Sequence, residues 1–282
     1  MSTTKLVIFT DLDGTLLDYH TYACERVRKT LDQVRAHDIP VIFCSAKTRA
    51  EQEVYRDKLK IDDPFIVENG SAVFIPRGYF SIEYDYDRQI DQYDVIELGK
   101  PFSHIGNILL QASLELGIVL KRYGNMTVQE VAKITGLKED EALRAKAREY
   151  EETIVTKLKP EMRNRLQQDI RKHGLALTDG ARFCGVGYIN SNKGRTVEIL
   201  ADLFRRQFGS VTTVGLGDSH NDKSMLAAVD RPYLVQGPEK RWEEMDVPGL
   251  NRINGVGPSG WSKAIEELLR SSPTANVIPK ED

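Results

Sequence analysis

Two short apolar runs that stop abruptly on polar residues constrain this chain more than any other feature. Leu6 to Phe9 in "KLVIFTDLDGTLLD" is a continuous apolar stretch of strand length, and Val41 to Cys44 in "IPVIFCSAKT" is a second. Runs of this kind suit strands buried on both faces of a parallel sheet. Between them, "YACERVRKTLDQVRAHD" sets Ala23, Val27, Leu31 and Val34 at helical spacing, which completes a β-α-β unit.

"DPFIVENGSAVFIP" then predicts two strands joined by a turn at Asn69-Gly70. The alternation returns in the last third. A helix is expected from about Gly194 to Gln207, a strand in "VTTVGLG", a helix in "DKSMLAAV", a strand in "PYLV" and a final helix from about Trp261 to Arg270. The middle mixes helices ("SHIGNILLQASLELG", "TVQEVAKITG", "KEDEALRAKAREYEE") with short strand-like pieces ("EETIVTKL", "GLALTDG", "RFCGVGYI"). Thr127 with Glu130 fits a capping box. The expected architecture is therefore α/β: a Rossmann-like core with a parallel sheet from residues 1–84 and 188–282, interrupted by an inserted α+β domain over 85–187. The closing "SSPTANVIPKED" has little to bury and reads as a mobile tail.

Composition narrows the function. The net charge is −3, from 39 basic and 42 acidic residues, so no broad field draws the chain to nucleic acid or anionic lipid and any anion site must be local. "TVQEVAKITGLKEDEALRAKA" has the pattern of a small helix-turn-helix, but Glu130, Glu139, Asp140 and Glu141 interrupt any basic stripe. Cys24, Cys44 and Cys184 are far apart and outside any CxxC pattern, which disfavours both a disulfide framework and a zinc site. There is no basic-then-apolar leader and no apolar run near the roughly 18 residues of a membrane span, so the expected location is cytoplasmic.

In open α/β sheets the carboxyl ends of the strands line the ligand crevice. The residues just beyond the apolar runs are Asp11 and Asp13; Ser45, Lys47 and Thr48; and Asp218, Ser219, Asn221 and Asp222, with Lys193 leading into a helix. Carboxylates gathered at one point repel each other unless a cation lies beside them. Magnesium is commonly bound by one or two carboxylates plus a substrate phosphate. The set therefore predicts a phosphoryl site whose charge is shared by magnesium, Lys193, the Ser45 hydroxyl and backbone N–H groups.

"DLDGTL", the serine after the second run, the lysine of "NSNKG" and "GDSHND" together resemble the haloacid dehalogenase superfamily of phosphotransferases across the whole core. The resemblance implies that Asp11 attacks phosphorus, while Asp13 protonates the leaving oxygen and later activates water. It implies magnesium ligands from the Asp11 carboxylate, the Asp13 carbonyl and Asp218, with Asp222 in support, and phosphate contacts from Ser45, Lys193 and Asn221. The insert is similar to the large α/β cap of the sugar-phosphatase branch. "CSAKTRAEQE", "REYEETI", "GARF" and "GPSGW" are similar to the mannosyl-3-phosphoglycerate phosphatase family. That likeness implies a small phosphorylated sugar-glycerate substrate, a compatible solute as product, and a monomer or homodimer. A substrate carboxylate calls for cationic donors, so Lys47, Arg148 and Arg182 are candidate clamps, with Thr48 and Glu152 as further substrate contacts. On a helix, Arg148 could instead pair with Glu152 four residues on. Alternatives in the same class are a glucosyl-3-phosphoglycerate phosphatase, a broad hexose-phosphate phosphatase, and a hexose phosphomutase, which would release no inorganic phosphate.

Overall fold

The computed structural model of the protein describes residues 4–179 and 182–271. The expected tail, and Gly180 and Ala181 of "GARF", lie outside the described residues. Strands β1 (Lys5–Thr10), β2 (Val41–Cys44), β3 (Phe65–Val67), β4 (Ala72–Pro76), β5 (Arg88–Ile90) and β6 (Tyr93–Glu97) precede a smaller sheet. That sheet holds β7 (Glu152–Ile154), β8 (Leu175–Asp179) and β9 (Cys184–Tyr188); β10 (Val211–Gly217), β11 (Arg231–Gln236) and β12 (Asn251–Val256) follow. Helices are α1 (Arg28–Ala36), α2 (Arg49–Leu59), α3 (Phe102–Leu116), α4 (Val128–Thr135), α5 (Glu139–Lys146), α6 (Pro160–Arg171), α7 (Lys193–Phe208), α8 (Lys223–Ala227) and α9 (Pro258–Ser271).

The larger sheet runs β12-β11-β10-β1-β2-β3-β4-β6-β5. It is parallel from β12 to β3 and antiparallel beyond. Successive side chains of a strand face opposite ways, and β1 shows why its sequence is apolar throughout. Ile8 joins a cluster with Leu31 and Val34 of α1 and Trp261, Ile265 and Leu268 of α9. Val7 and Phe9 point the other way, to Val197, Leu200 and Phe204 of α7 and Leu226 of α8. Trp261 is fully buried, and its indole N–H donates to the Thr10 hydroxyl at 3.1 Å, immediately before Asp11.

Three differences from the expected layout have physical reasons. Residues 88–97 add two strands to the larger sheet, so the core continues past residue 84. These strands sit at the antiparallel edge, where half-solvated positions such as Gln89 replace a continuous apolar run. Helix α6 buries Leu166 and Ile170 among many polar residues, which left its periodicity faint. The helix expected through "KEDEALRAKAREYEE" ends at Lys146, so Arg148 is not helical. Among the described residues, no helix is long and apolar enough to cross a membrane.

Replacing Trp261 with alanine removes a filled core site and the donor to Thr10. It should cost about 3–5 kcal/mol of unfolding free energy, read from the denaturant midpoint. A loss below about 1 kcal/mol would show that this cluster does not anchor β1.

Candidate functional site

Chain winding reverses at β1, which has β2 on one side and β10 on the other. That switch point opens a crevice at the strand ends. A cavity of about 660 Å³ lies there, lined from the core by Asp13, Lys47, Lys193 and Asn221 and from the insert by Arg148, Glu151 and Arg182.

At its floor the Lys193 ammonium, fully buried, donates to Asp11 Oδ1 at 2.6 Å and to Asp222 Oδ1 at 2.7 Å. Burial and a position at the start of α7 both oppose a cation there. Asp11 and Asp222 outweigh the burial, and the lysine pKa is raised. Asp222 uses its other oxygen to accept the N–H groups of Asp218 and Ser219, at 3.0 and 3.1 Å. Asp218 accepts from the Thr15 hydroxyl at 3.0 Å. Gly14 lets these pieces close: its φ is +84°, and a β-carbon there would lie 2.6 Å from Asp218 Oδ2.

Carboxylate oxygens of Asp11, Asp218 and Asp222 all lie within 4.8 Å of one another. Burial, countered by Lys193 and reinforced by Asp222, pushes the Asp11 pKa up to about 7. Burial, with Asp222 and Asp11 adding to it, pushes Asp218 up to about 8. Asp222 is already spent on Lys193 and two N–H groups, so Asp11 and Asp218 are the carboxylates with capacity left for a hard divalent cation. The buried all-oxygen donor set fits such an ion.

Ser45 and Lys47 follow β2; Lys47 lines the cavity, and the buried Ser45 hydroxyl accepts the Lys47 N–H at 3.3 Å. The Lys47 ammonium lies 3.0 Å from Asp13 Oδ1 and 3.7 Å from Glu51, over the ring of Tyr22. Lys47 is thus engaged with the second aspartate rather than reaching freely for substrate. Desolvation raises the Asp13 pKa, against the pull of Lys47. Thr48 does not line the cavity. Its hydroxyl caps α2 by accepting from the Glu51 N–H at 3.2 Å and donates to the Arg144 carbonyl at 2.9 Å.

The insert meets the core through Glu68, a residue the sequence did not single out. Its fully buried carboxylate accepts the N–H groups of Glu149, Tyr150 and Glu151 at 2.8, 3.0 and 2.7 Å. Those N–H groups would otherwise continue the helix, which explains its early end. The register shift also exchanges two glutamates. Glu152 turns away from the cavity, fully buried, to pair with Arg122 at 2.6 Å and accept the Gly124 N–H. Glu151 faces the cavity instead and accepts from Asn69 Nδ2 at 3.0 Å. Arg148 lies 3.6 Å from Glu151, not Glu152, and donates to the Ala46 carbonyl at 3.0 Å. Arg182 lines the cavity and donates to the Ile134 and Thr135 carbonyls, at 2.7 Å each. His220 and Asn221, both exposed, complete the rim.

A family profile described as haloacid dehalogenase-like hydrolase matches residues 8–241. The chain belongs to that family. It is 40% identical to a glucosyl-3-phosphoglycerate/mannosyl-3-phosphoglycerate phosphatase of Methanococcoides burtonii, over 94% of this chain and 97% of the relative. It is 39% identical to a mannosyl-3-phosphoglycerate phosphatase of Pyrococcus furiosus, over 81% and 90% of the two chains. Among solved structures, the Thermoplasma acidophilum protein 0175 superposes with a TM-score of 0.64 at 13% identity, covering 96% of this chain and 99% of that one, a likeness of fold.

Asp11 and Asp218 carry a testable pH signature. Between the ordinary carboxyl value of 3.8 and folded values of about 7 and 8, the native state binds more protons than the unfolded chain. Their contribution is therefore fully present below that ordinary value and is lost as pH rises through the folded values. In EDTA, the melting temperature should be lower at pH 8 than at pH 5, and Asp218→Asn should flatten the decline. An identical slope in the variant would place its origin elsewhere.

Proposed function

We propose that the chain is a magnesium-dependent phosphatase that removes the phosphate of a glycosyl-3-phosphoglycerate, mannosyl or glucosyl, through an aspartyl-phosphate. The observation that carries this reading is Asp11 held against Lys193 at the floor of the cavity, with Asp218 beside it and Asp13 at its side. The names of the two relatives support the substrate.

In this reading an Asp11 oxygen attacks phosphorus as the phosphorus–oxygen bond to glycerate breaks, and Asp13 delivers its proton to the departing oxygen. Asp13 then takes a proton from water as that water attacks the aspartyl-phosphate, which frees inorganic phosphate and restores Asp11. Lys193 fixes the nucleophile, and with the Ser45 hydroxyl it faces the phosphoryl oxygens. Asn221 assists from the rim. Magnesium, held by Asp11, Asp218 and the Asp13 carbonyl, would supply charge neutralisation for those oxygens. Asp222 supports it by orienting Lys193 and the Asp218 backbone.

The segment between β6 and α7 acts as a cap that excludes water and selects substrate. Arg182 is the best placed cation for the glycerate carboxylate. Its guanidinium faces the cavity, and among the described residues it contacts backbone carbonyls and forms no ion pair. Arg182→Met should raise KM for a glycosyl-3-phosphoglycerate by roughly tenfold or more while changing mannose 6-phosphate little. Equal changes on both substrates would remove this role.

The reading is tested by phosphate release from mannosyl-3-phosphoglycerate, glucosyl-3-phosphoglycerate, 3-phosphoglycerate and mannose 6-phosphate, with magnesium and with EDTA. Magnesium-dependent release that favours a glycosyl-phosphoglycerate is expected, and Asp11→Asn should reduce it to below about a thousandth without unfolding the protein. Near-normal activity in that variant would sink the mechanism.

A further inference from the structure

A single peptide group of the loop after β2 joins the insert to the floor of the cavity. The peptide between Ala46 and Lys47 gives its carbonyl to Arg148 Nη1 at 3.0 Å, and its N–H to the Ser45 hydroxyl oxygen at 3.3 Å. A trans peptide is planar, with C=O and N–H pointing in opposite directions. Fixing one end therefore fixes the other. Because the Ser45 oxygen accepts that N–H, the hydroxyl proton stays available to donate to a phosphoryl oxygen.

The neighbouring carbonyls are held by the core. Ser45 C=O accepts the Asn69 N–H at 3.0 Å, and Lys47 C=O accepts the Glu68 N–H at 3.1 Å. Of three successive carbonyls, the middle one is thus held by the insert. The segment that carries Arg148 is seated by the Glu68 carboxylate, through the N–H groups of residues 149–151. One turn of the core therefore grips both the loop and the insert.

The surroundings of Arg148 disfavour a direct clamp on a substrate carboxylate. Its Nη1 is committed to Ala46, and Glu151 lies 3.6 Å away, where it would repel a second carboxylate. Its buried Nε makes no hydrogen bond among the described residues. A guanidinium buried with a donor unmet is costly and persists where its position matters.

We propose that Arg148 is a positioning residue for phosphate binding: it acts through the Ala46–Lys47 peptide on the Ser45 hydroxyl. The loop is then fully arranged for a phosphoryl group when residues 148–151 occupy their seat on Glu68. The inference rests on the phosphatase reading above.

The test compares the full-length wild type with Arg148→Met and Arg148→Lys in magnesium. Three quantities are read: kinetics on mannosyl-3-phosphoglycerate, kinetics on p-nitrophenyl phosphate, and the inhibition constant of inorganic phosphate. The methionine variant should raise both KM values and the phosphate inhibition constant by a similar factor, about tenfold or more. Lysine, which can still donate to the Ala46 carbonyl, should restore most of the loss. A loss confined to the glycerate-bearing substrate would overturn the inference and make Arg148 a substrate contact. An unchanged phosphate inhibition constant would overturn it as well.

Ser45→Ala guards against a general folding defect. In that background Arg148→Met should add little further loss, because the group it acts on is gone. Full additivity of the two losses would refute the coupling. Wild type that releases no phosphate from any substrate would overturn the phosphatase reading and this inference with it. An active wild type whose phosphate inhibition ignores Arg148 would remove the inference alone.

Discussion

The ammonium of Lys193, buried between Asp11 and Asp222, is the interaction on which the site depends. Three carboxylates meet where β1 and β10 end, and without a cation at that point they could not all ionise. Lys193 bonds two of them, Asp11 and Asp222, and a divalent cation beside Asp11 and Asp218 would let those two carry charge together. The fold serves this contact in several ways. The parallel register of β1 and β10 brings residues over 200 positions apart to one level. Gly14 permits the close approach of Asp218, and Asn192 caps α7 by accepting the Arg195 N–H at 3.0 Å, which holds the start of the helix at the floor.

A second arrangement of comparable weight surrounds Glu68. An isolated buried carboxylate would be destabilising, but three backbone N–H groups converge on this one. Its φ of +47° is uncommon for a residue with a β-carbon, and Asn69 at +57° and Gly70 at +89° continue in the left-handed region. Gly70 is needed as well for space, since a β-carbon there would collide with the backbone of Asn192 and Lys193. The turn after β3 therefore touches the loop after β2, the insert and the start of α7 together.

Legibility in the sequence followed the strength of the local signal. Strands β1 and β2 were plain because burial on both faces demands continuous apolar runs, and the residues after them mark the crevice by topology alone. Thr48 and Glu152 lie away from the cavity for tertiary reasons that the sequence does not display. The Thr48 hydroxyl is drawn into a helix cap and to Arg144, and the Glu68 carboxylate ends a helix that local propensity would have continued. The shift from Glu152 to Glu151 at the cavity follows from that one long-range contact. Glu68 itself carried no signal beyond its place beside the Asn69-Gly70 turn. The paired strands of residues 88–97 were hidden by polar side chains, which an edge of the sheet tolerates.

The insert is joined to the core by two straps of equal length, residues 98–101 between β6 and α3 and residues 189–192 between β9 and α7. Four extended residues span at most about 14 Å. Both straps are anchored by backbone hydrogen bonds: Leu98 and Gly99 donate to the Ser71 carbonyl, and Ile189 donates to the Gly174 carbonyl. Two straps of four residues, both anchored, limit how far the segment they carry can part from the core while the chain stays intact.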